Sequence, residues 1–181
     1  MKITLVTGGT RSGKSGFAES LLKDQNNVLY IATSIVTDKE MENRIKRHIE
    51  RRNQNWTTVE AFKDLNNVVK NHEEKYILLD CVTIMITNLM FELHKDYDNF
   101  SIDDTEKLYN EIKKEFDKLL LQVKEENKEI ILVTNEVGYG IVPEYKISRV
   151  FRDIAGEINS YIASLSDDVY LVACGIPLKI K

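Results

Sequence analysis

The chain has 181 residues, of which 43% are hydrophobic and 30% are charged, a balance typical of a globular protein. Its formal net charge of -4 argues against a general nucleic-acid binder. The two cysteines, Cys81 and Cys174, are too few for a disulfide framework and favour a reducing compartment. No apolar stretch reaches the roughly 18 residues that cross a bilayer, and the N-terminus lacks a signal-peptide layout. We therefore expect one cytoplasmic domain over residues 1–181, with no nucleic-acid partner and no membrane span.

Strand-like and helix-like segments alternate along the chain. Short apolar runs predict strands, and apolar residues at helical spacing predict helices. The predicted strands are residues 3–7, 28–33, 56–62, 76–80, 129–134 and 169–173. The predicted helices are residues 16–23, a segment that starts at a Thr-x-x-Glu capping box at 37–40, residues 83–94, a long helix capped at 101–104, and residues 147–162. This alternation predicts an α/β fold of three layers, with helices on both faces of a mostly parallel central sheet.

A glycine-rich loop, residues 8–15, follows the first predicted strand. It matches the pattern G-x-x-x-x-G-K-[ST] between a strand and a helix, the context that a P-loop requires. Backbone N–H groups of such a loop curl around a phosphate, Lys14 reaches the terminal phosphates, and the Ser15 hydroxyl ligates Mg²⁺. The predicted nucleotide-binding residues of the loop are Gly8, Gly9, Thr10, Arg11, Ser12, Gly13, Lys14 and Ser15. We infer a P-loop NTPase-like (RecA-like) fold; the alternative, a chance glycine turn, is disfavoured by the context.

One predicted strand ends in a carboxylate. Asp80 follows the apolar run 76–79, and ligands of parallel sheets bind at the carboxyl ends of the strands. Asp80 therefore resembles a Walker-B residue, which holds Mg²⁺ directly or through water. The alternative is that Asp80 only caps the next helix. The neighbouring glycine-rich loop favours the metal role.

A histidine lies between two arginines on the predicted second helix. Arg44, His48 and Arg52 are spaced four residues apart and so share one helix face. Nearby positive charge favours neutral imidazole, which is a nucleophile, and the arginines are suited to binding phosphates. The alternative, a solvated basic face, is what this spacing alone favours. The run 134–137 is not an Asn-Lys-x-Asp guanine motif, which argues against a Ras-type switch protein.

The choice between these two interpretations of His48 depends on motifs along nearly the whole chain. They are residues 5–15, 30–34, 44–45, 48, 52, 56, 60, 80–83, 87–89, 134–143, 149, 151–156, 159 and 175–179. With these motifs the chain resembles the bifunctional adenosylcobinamide kinase / adenosylcobinamide-phosphate guanylyltransferase family of cobalamin biosynthesis. The runs Asn-Glu-Val-Gly-x-Gly-Ile-Val-Pro at 135–143 and Arg-Asp-x-Ala-Gly at 152–156 are more specific than the P-loop.

The resemblance implies a role for His48, which would take GMP from GTP as a covalent phosphoramidate. The further guanine-nucleotide contacts that it implies are Thr33, Ser34, Ile49, Glu50, Arg51, Arg52, Glu60 and Asp80. Three departures from the family pattern concern details of the site. Ile49 stands where the family often has a basic residue, Asn53 where it often has proline, and Asp80 where it often has the longer glutamate.

The resemblance also implies two reactions and their partners. ATP or GTP would phosphorylate adenosylcobinamide with Lys14 and Mg²⁺, and GTP would then donate GMP through His48. The corrinoid would be the other substrate, and the protein would form a homo-oligomer such as a trimer. One alternative is a P-loop small-molecule kinase in which His48 is purely structural. Another is a nucleotide-gated binding protein, which would transfer nothing to a corrinoid.

Some segments keep two interpretations. The run 135–143 either binds the corrinoid or is a tight loop that only shapes the site. For Arg152 and Asp153 we favour an ion pair on or between helices. We expect Met85, Met90 and Phe91, at near-helical spacing, to lie in the core.

Overall fold

The structure, a computed structural model, describes residues 1–35 and 53–181, and a seven-stranded sheet lies at the centre of this part of the chain. The strands are β1 (Lys2–Gly8), β2 (Val28–Ala32), β3 (Thr57–Glu60), β4 (Tyr76–Asp80), β5 (Glu129–Val133), β6 (Asp168–Ala173) and β7 (Ile176–Lys179). The helices are α1 (Lys14–Ser20), α2 (Leu65–Lys70), α3 (Val82–Leu93), α4 (Ile102–Glu125) and α5 (Lys146–Leu165). The predicted α/β fold with a mostly parallel sheet is confirmed.

The strand order places the ends of β1 and β4 on either side of β5. The order is β3-β2-β4-β5-β1-β6-β7, in which β6 and β7 are antiparallel and the other neighbours are parallel. Val133 of β5 pairs with Val6 on one side and with Asp80 on the other. Because carboxyl ends of parallel strands meet at one edge, the glycine-rich loop and Asp80 are brought to the same edge of the sheet.

The two faces of the sheet bury alternate residues of each strand. One face packs Leu5, Ile77 and Leu79 against apolar side chains of α2, α3, α4 and α5. The opposite face packs Val6 and Leu78 against α1 and its neighbourhood. This period of two within continuous apolar runs is what a parallel strand buried on both faces requires. None of the helices in the described ranges has the length and hydropathy of a membrane span.

The long helix α4 begins where the sequence predicts. The Ser101 hydroxyl accepts a hydrogen bond from the Asp104 backbone N–H at 3.1 Å, and the Asp104 carboxylate accepts one from the Ser101 N–H at 3.0 Å. This reciprocal pair is a capping box, which satisfies backbone donors that the first turn leaves free. The other predicted capping box, at residues 37–40, lies outside the described residues.

The sequence patterns did not predict helix α2 and strand β7, and they predicted the wrong environment for Phe91. Helix α2 has six residues, too few for a clear helical period. Strand β7 has only four residues and is exposed along its whole length, and its Pro177 is a residue that disfavours a strand assignment. Met85 and Met90 are buried as predicted, but the core prediction for Phe91 is wrong because this side chain is 55% exposed.

Candidate active site

The glycine-rich loop connects β1 to α1, as the motif requires. Within the loop the Ser12 N–H donates to the Gly9 carbonyl at 3.2 Å. Gly13 has φ +95°, a backbone conformation that side chains rarely adopt. A Cβ atom on Gly8 would lie 2.4 Å from the Val172 carbonyl oxygen of β6. The glycines at positions 8 and 13 are therefore set by the fold of the chain itself.

The hairpin of β6 and β7 supports the loop from one side. Its two-residue turn, Cys174 and Gly175, has φ +52° and +80°, as a type I′ turn requires. The Gly175 N–H donates to the Ser12 carbonyl at 2.8 Å. A Cβ on Gly13 would lie 3.2 Å from the Gly175 Cα. This contact joins residues far apart in the chain, although the Cys-Gly pair between apolar runs was a signal for the turn.

The amine of Lys14 lies inside the loop. Only 9% of this residue is exposed, and its Nζ donates to the Gly9 carbonyl at 3.1 Å. Burial lowers the pKa of Lys14, and the nearby Cys81 and Asp80 oppose that effect. Lys14 and Asp80 are 66 residues apart in sequence, and the strand order β4-β5-β1 brings both to the same edge of the sheet.

Two hydroxyl groups beside the loop are buried without a hydrogen-bond partner. In the described part of the chain these are Thr7 Oγ1 and Ser12 Oγ. A buried hydroxyl without a partner is destabilising by about 1–3 kcal/mol. Both groups therefore have a hydrogen-bonding capacity that the described part of the chain does not use.

Asp80 ends β4 and is held by a tyrosine. The Tyr30 hydroxyl donates to Asp80 Oδ2 at 2.9 Å, and the Asp80–Cys81 peptide bond is cis. The N-cap of α3 is Cys81, which makes no side-chain capping bond. The structure thus does not support the alternative that Asp80 serves as the helix cap.

Thr33 joins the ends of β2 and β4. It is fully buried, and its hydroxyl accepts from the Cys81 N–H and donates to the Cys81 carbonyl, each at 2.8 Å. Asn88 Nδ2 donates to the Thr33 carbonyl at 2.7 Å. The hydroxyl of this predicted nucleotide contact is therefore engaged within the chain. Ser34, the next predicted residue, is half-buried.

An amide network anchors the segment that follows β5. The buried Thr134 hydroxyl donates to Asn159 Oδ1 at 2.7 Å, and Asn159 Nδ2 donates to the Asn135 carbonyl at 3.1 Å. Asn135 Nδ2 in turn donates to Thr83 Oγ1 at 2.6 Å. The Glu136 N–H donates to the Gly8 carbonyl at 3.0 Å. This segment is thus bonded both to α5 and to the glycine-rich loop.

The structure brings the described predicted residues to one edge of the sheet. Ala32 pairs with Glu60 on one side and with Asp80 on the other, so the two carboxylates end the strands on either side of β2. The remaining predicted residues, His48, Ile49, Glu50, Arg51 and Arg52, lie outside the described residues, as does Arg44. Within residues 1–35 and 53–181 no group of three or more His, Cys, Asp and Glu side chains could hold a metal ion.

Comparison with known proteins identifies a family with the same chemistry. Residues 4–180 match the model of the cobinamide kinase / cobinamide phosphate guanyltransferase family. The chain is 44% identical to the bifunctional adenosylcobalamin biosynthesis protein CobU of Escherichia coli K12, over 98% of both chains. It is 44% identical to the protein of the same name from Salmonella typhimurium LT2, again over 98% of both. It is 36% identical to the Pseudomonas aeruginosa PAO1 protein CobP, over 98% of this chain and 96% of the relative.

Proposed function

Because the chain belongs to the cobinamide kinase / cobinamide phosphate guanyltransferase family of cobalamin biosynthesis, we propose that it phosphorylates adenosylcobinamide and then converts the product to adenosylcobinamide-GDP. The family resemblance inferred from the sequence is thereby confirmed. The observation that carries the proposal is the family match over residues 4–180, together with a strand–loop–helix whose Lys14 lies at the same edge of the sheet as Asp80.

In the kinase step the glycine-rich loop would bind the phosphates of ATP or GTP. The terminal hydroxyl of the aminopropanol arm of adenosylcobinamide attacks the γ-phosphorus, the bond from this phosphorus to the nucleoside diphosphate breaks, and the hydroxyl proton is released to water. Lys14 would bind the phosphoryl oxygens as negative charge builds on them. A bound phosphate would also supply partners for the Thr7 and Ser12 hydroxyls, which have none within the described chain.

A divalent cation suits the same edge of the sheet. Mg²⁺ is commonly bound by one or two protein oxygens, substrate phosphates and water. Asp80 and Ser15 would hold it. When bound, the cation supplies additional positive charge to the transferring phosphoryl group.

In the guanylyl step His48 would act as the nucleophile. Its imidazole nitrogen attacks the α-phosphorus of GTP, a nitrogen–phosphorus bond forms, and pyrophosphate leaves. A phosphate oxygen of adenosylcobinamide phosphate then attacks the same phosphorus, and the nitrogen–phosphorus bond breaks to release His48. Arg44 or Arg52 would stabilise the charge on the α-phosphate. The nucleotide contacts proposed for this step are Thr33, Ser34, Ile49, Glu50, Arg51, Arg52, Glu60 and Asp80.

We further propose a cytoplasmic homo-oligomer, such as a trimer. The edge strand β7 and the residue after it support association, because Ile176, Leu178 and Ile180 are each more than half exposed. An exposed apolar edge strand is a surface that proteins normally cover.

Covalent labelling tests the histidine. The wild type, His48→Ala and the control His72→Gln are incubated with Mg²⁺ and GTP labelled on its α-phosphate. We expect an acid-labile, alkali-stable label on the wild type and the control, and none on His48→Ala, because a phosphoramidate needs the imidazole nitrogen.

The alternative outcomes separate the two halves of the proposal. A wild type that binds GTP but takes no label would leave a P-loop small-molecule kinase as the function. Label that persists on a folded His48→Ala variant would assign the nucleophile to another residue.

A further inference from the structure

An open groove runs along the exposed side of α5. Its volume is about 720 Å³, the size of a small-molecule site. Tyr109 of α4 and Tyr161 form aromatic parts of its wall. Gly138 lines another side, and the rest is contributed by α5. We name this cavity the α5 groove.

A glycine in the middle of α5 lines the groove. Gly156 is the eleventh residue of a 20-residue helix, where glycine is less stable than alanine by roughly 0.5–1 kcal/mol. A Cβ atom at this position would meet nothing within 4 Å. The described chain therefore gives no steric reason for the glycine. A molecule that packs closely against the helix from the groove does give one, since it would occupy the space of a side chain.

The polar lining fits a ligand rich in amides. Asp153 and Glu157 are exposed acceptors, and Ser160 offers a hydroxyl. The Arg152 guanidinium donates to Asp153 at 3.0 and 3.1 Å, which confirms the predicted ion pair. Primary amides both donate and accept hydrogen bonds, so they match this mixture. Two carboxylates with a single, paired arginine disfavour a polyanion such as a second nucleotide.

The groove opens close to the glycine-rich loop. Glu136 is bonded to Gly8, and Gly138 follows two residues later, so their Cα atoms are at most about 7 Å apart. Asn159, on the same helix as Gly156, is bonded to Asn135 at 3.1 Å. Helix α5 and the glycine-rich loop are thus bonded to two adjacent residues, Asn135 and Glu136.

Several apolar side chains on the loop that follows Gly138 are exposed to solvent. The most exposed are Tyr139 at 87%, Ile141 at 93% and Tyr145 at 72%. Arg149 of α5 donates to the Pro143 carbonyl at 3.0 Å, which fixes the end of this loop on the same helix. Large exposed apolar side chains beside a groove mark a surface that binds another molecule.

We propose that the α5 groove is the binding site for the corrinoid substrate. The corrin macrocycle packs against the helix at Gly156, its peripheral carboxamides bond to Asp153, Glu157 and Ser160, and Tyr139 and Ile141 contact its methyl-bearing face. The aminopropanol arm then points past Gly138 to the phosphates on the glycine-rich loop. This inference rests on the proposed function, because that function supplies adenosylcobinamide as the ligand.

The test adds a side chain where the glycine leaves space. Adenosylcobinamide binding to wild type, Gly156→Leu and Glu157→Gln is measured by equilibrium dialysis, with the corrin absorbance as the signal. We expect Gly156→Leu to weaken binding by roughly tenfold or more, because it overfills the contact. Glu157→Gln should weaken binding less, because an amide retains one acceptor. Ser164→Leu places the same side chain on an exposed α5 position outside the groove and should bind as wild type.

Two controls make the outcome specific. GTP affinity should be unchanged in Gly156→Leu, and sedimentation should show the wild-type oligomeric state. Wild-type corrinoid affinity in both groove variants would overturn the assignment while leaving the proposed function intact. A changed oligomeric state in Gly156→Leu would also overturn it, because the groove would then be an interface between copies. A wild type that neither binds nor phosphorylates adenosylcobinamide would overturn the proposed function itself.

Discussion

Two glycines in this protein have opposite surroundings. At Gly8 a Cβ atom would collide with the Val172 carbonyl oxygen at 2.4 Å, whereas at Gly156 it would meet nothing within 4 Å. The first glycine is required by the folding of the chain on itself. Gly156 makes its helix less stable than alanine would, and no steric contact within the described chain requires a glycine there. A ligand that packs against this position would require it.

The glycine-rich loop and the α5 groove also differ in the chemical groups that form them. The glycine-rich loop is formed by backbone groups, and its neighbours β5, β6 and β7 hold it in place through main-chain hydrogen bonds and close contacts. The α5 groove is formed mainly by residues on the surface of α5, together with Tyr109 of α4 and Gly138. We therefore expect substitutions in the two regions to affect different substrates.

The largest expected effect concerns Lys14. Lys14→Ala removes the one buried amine of the glycine-rich loop, and we expect kinase turnover to fall by about 10²-fold to 10³-fold, since an electrostatic donor to the transition state is lost. Transfer of γ-phosphate from labelled ATP to adenosylcobinamide is the measurement. Binding of adenosylcobinamide itself should remain, because the α5 groove is intact.

An exposed lysine gives the matched control. Lys23 is exposed beyond the end of α1, and Lys23→Ala should keep wild-type turnover. Retained phosphorylation in Lys14→Ala would remove Lys14 from the mechanism. Loss of corrinoid binding in Lys14→Ala would contradict the expectation that the glycine-rich loop and the α5 groove bind different substrates.

Gly8→Ala should have the next largest effect, on stability. The added methyl group would overlap a backbone oxygen that β6 cannot easily move, and overpacking of this kind costs about 1–3 kcal/mol. Urea unfolding followed by circular dichroism gives the change in free energy of unfolding. A variant as stable as wild type would show that the loop and β6 separate without cost.

Gly156→Ala should change stability in the other direction. The free energy of unfolding is expected to rise by roughly 0.5–1 kcal/mol, because alanine restricts the unfolded chain and favours the helix. The same urea titration measures this change in the free energy of unfolding. Opposite signs for Gly156→Ala and Gly8→Ala would show that the packing of the chain requires glycine only at position 8. Destabilisation by Gly156→Ala would mean that the chain itself, rather than a ligand, requires this glycine.

Sequence patterns identified much of this fold because its central strands are buried on both faces. Strand β4 was predicted with its observed bounds, since the run 76–80 is apolar and ends in a carboxylate. The capping box at Ser101 was also predicted, because it depends on two residues that are three positions apart in sequence. Strand β7 was not predicted, because it is held by pairing with β6 and has no buried face of its own.

The candidate site divides in the same way. The motif from Gly8 to Ser15 is defined by residues close together in sequence, so sequence alone determined the glycine-rich loop, the position of its lysine and the family of the protein. Only the tertiary structure decided that Gly175 supports Ser12, that Tyr30 holds Asp80, and that α5 presents a groove beside the loop. The physical reason is that the loop chemistry depends on neighbours in sequence, whereas these contacts depend on strand order and helix packing, which bring distant residues to one edge of the sheet.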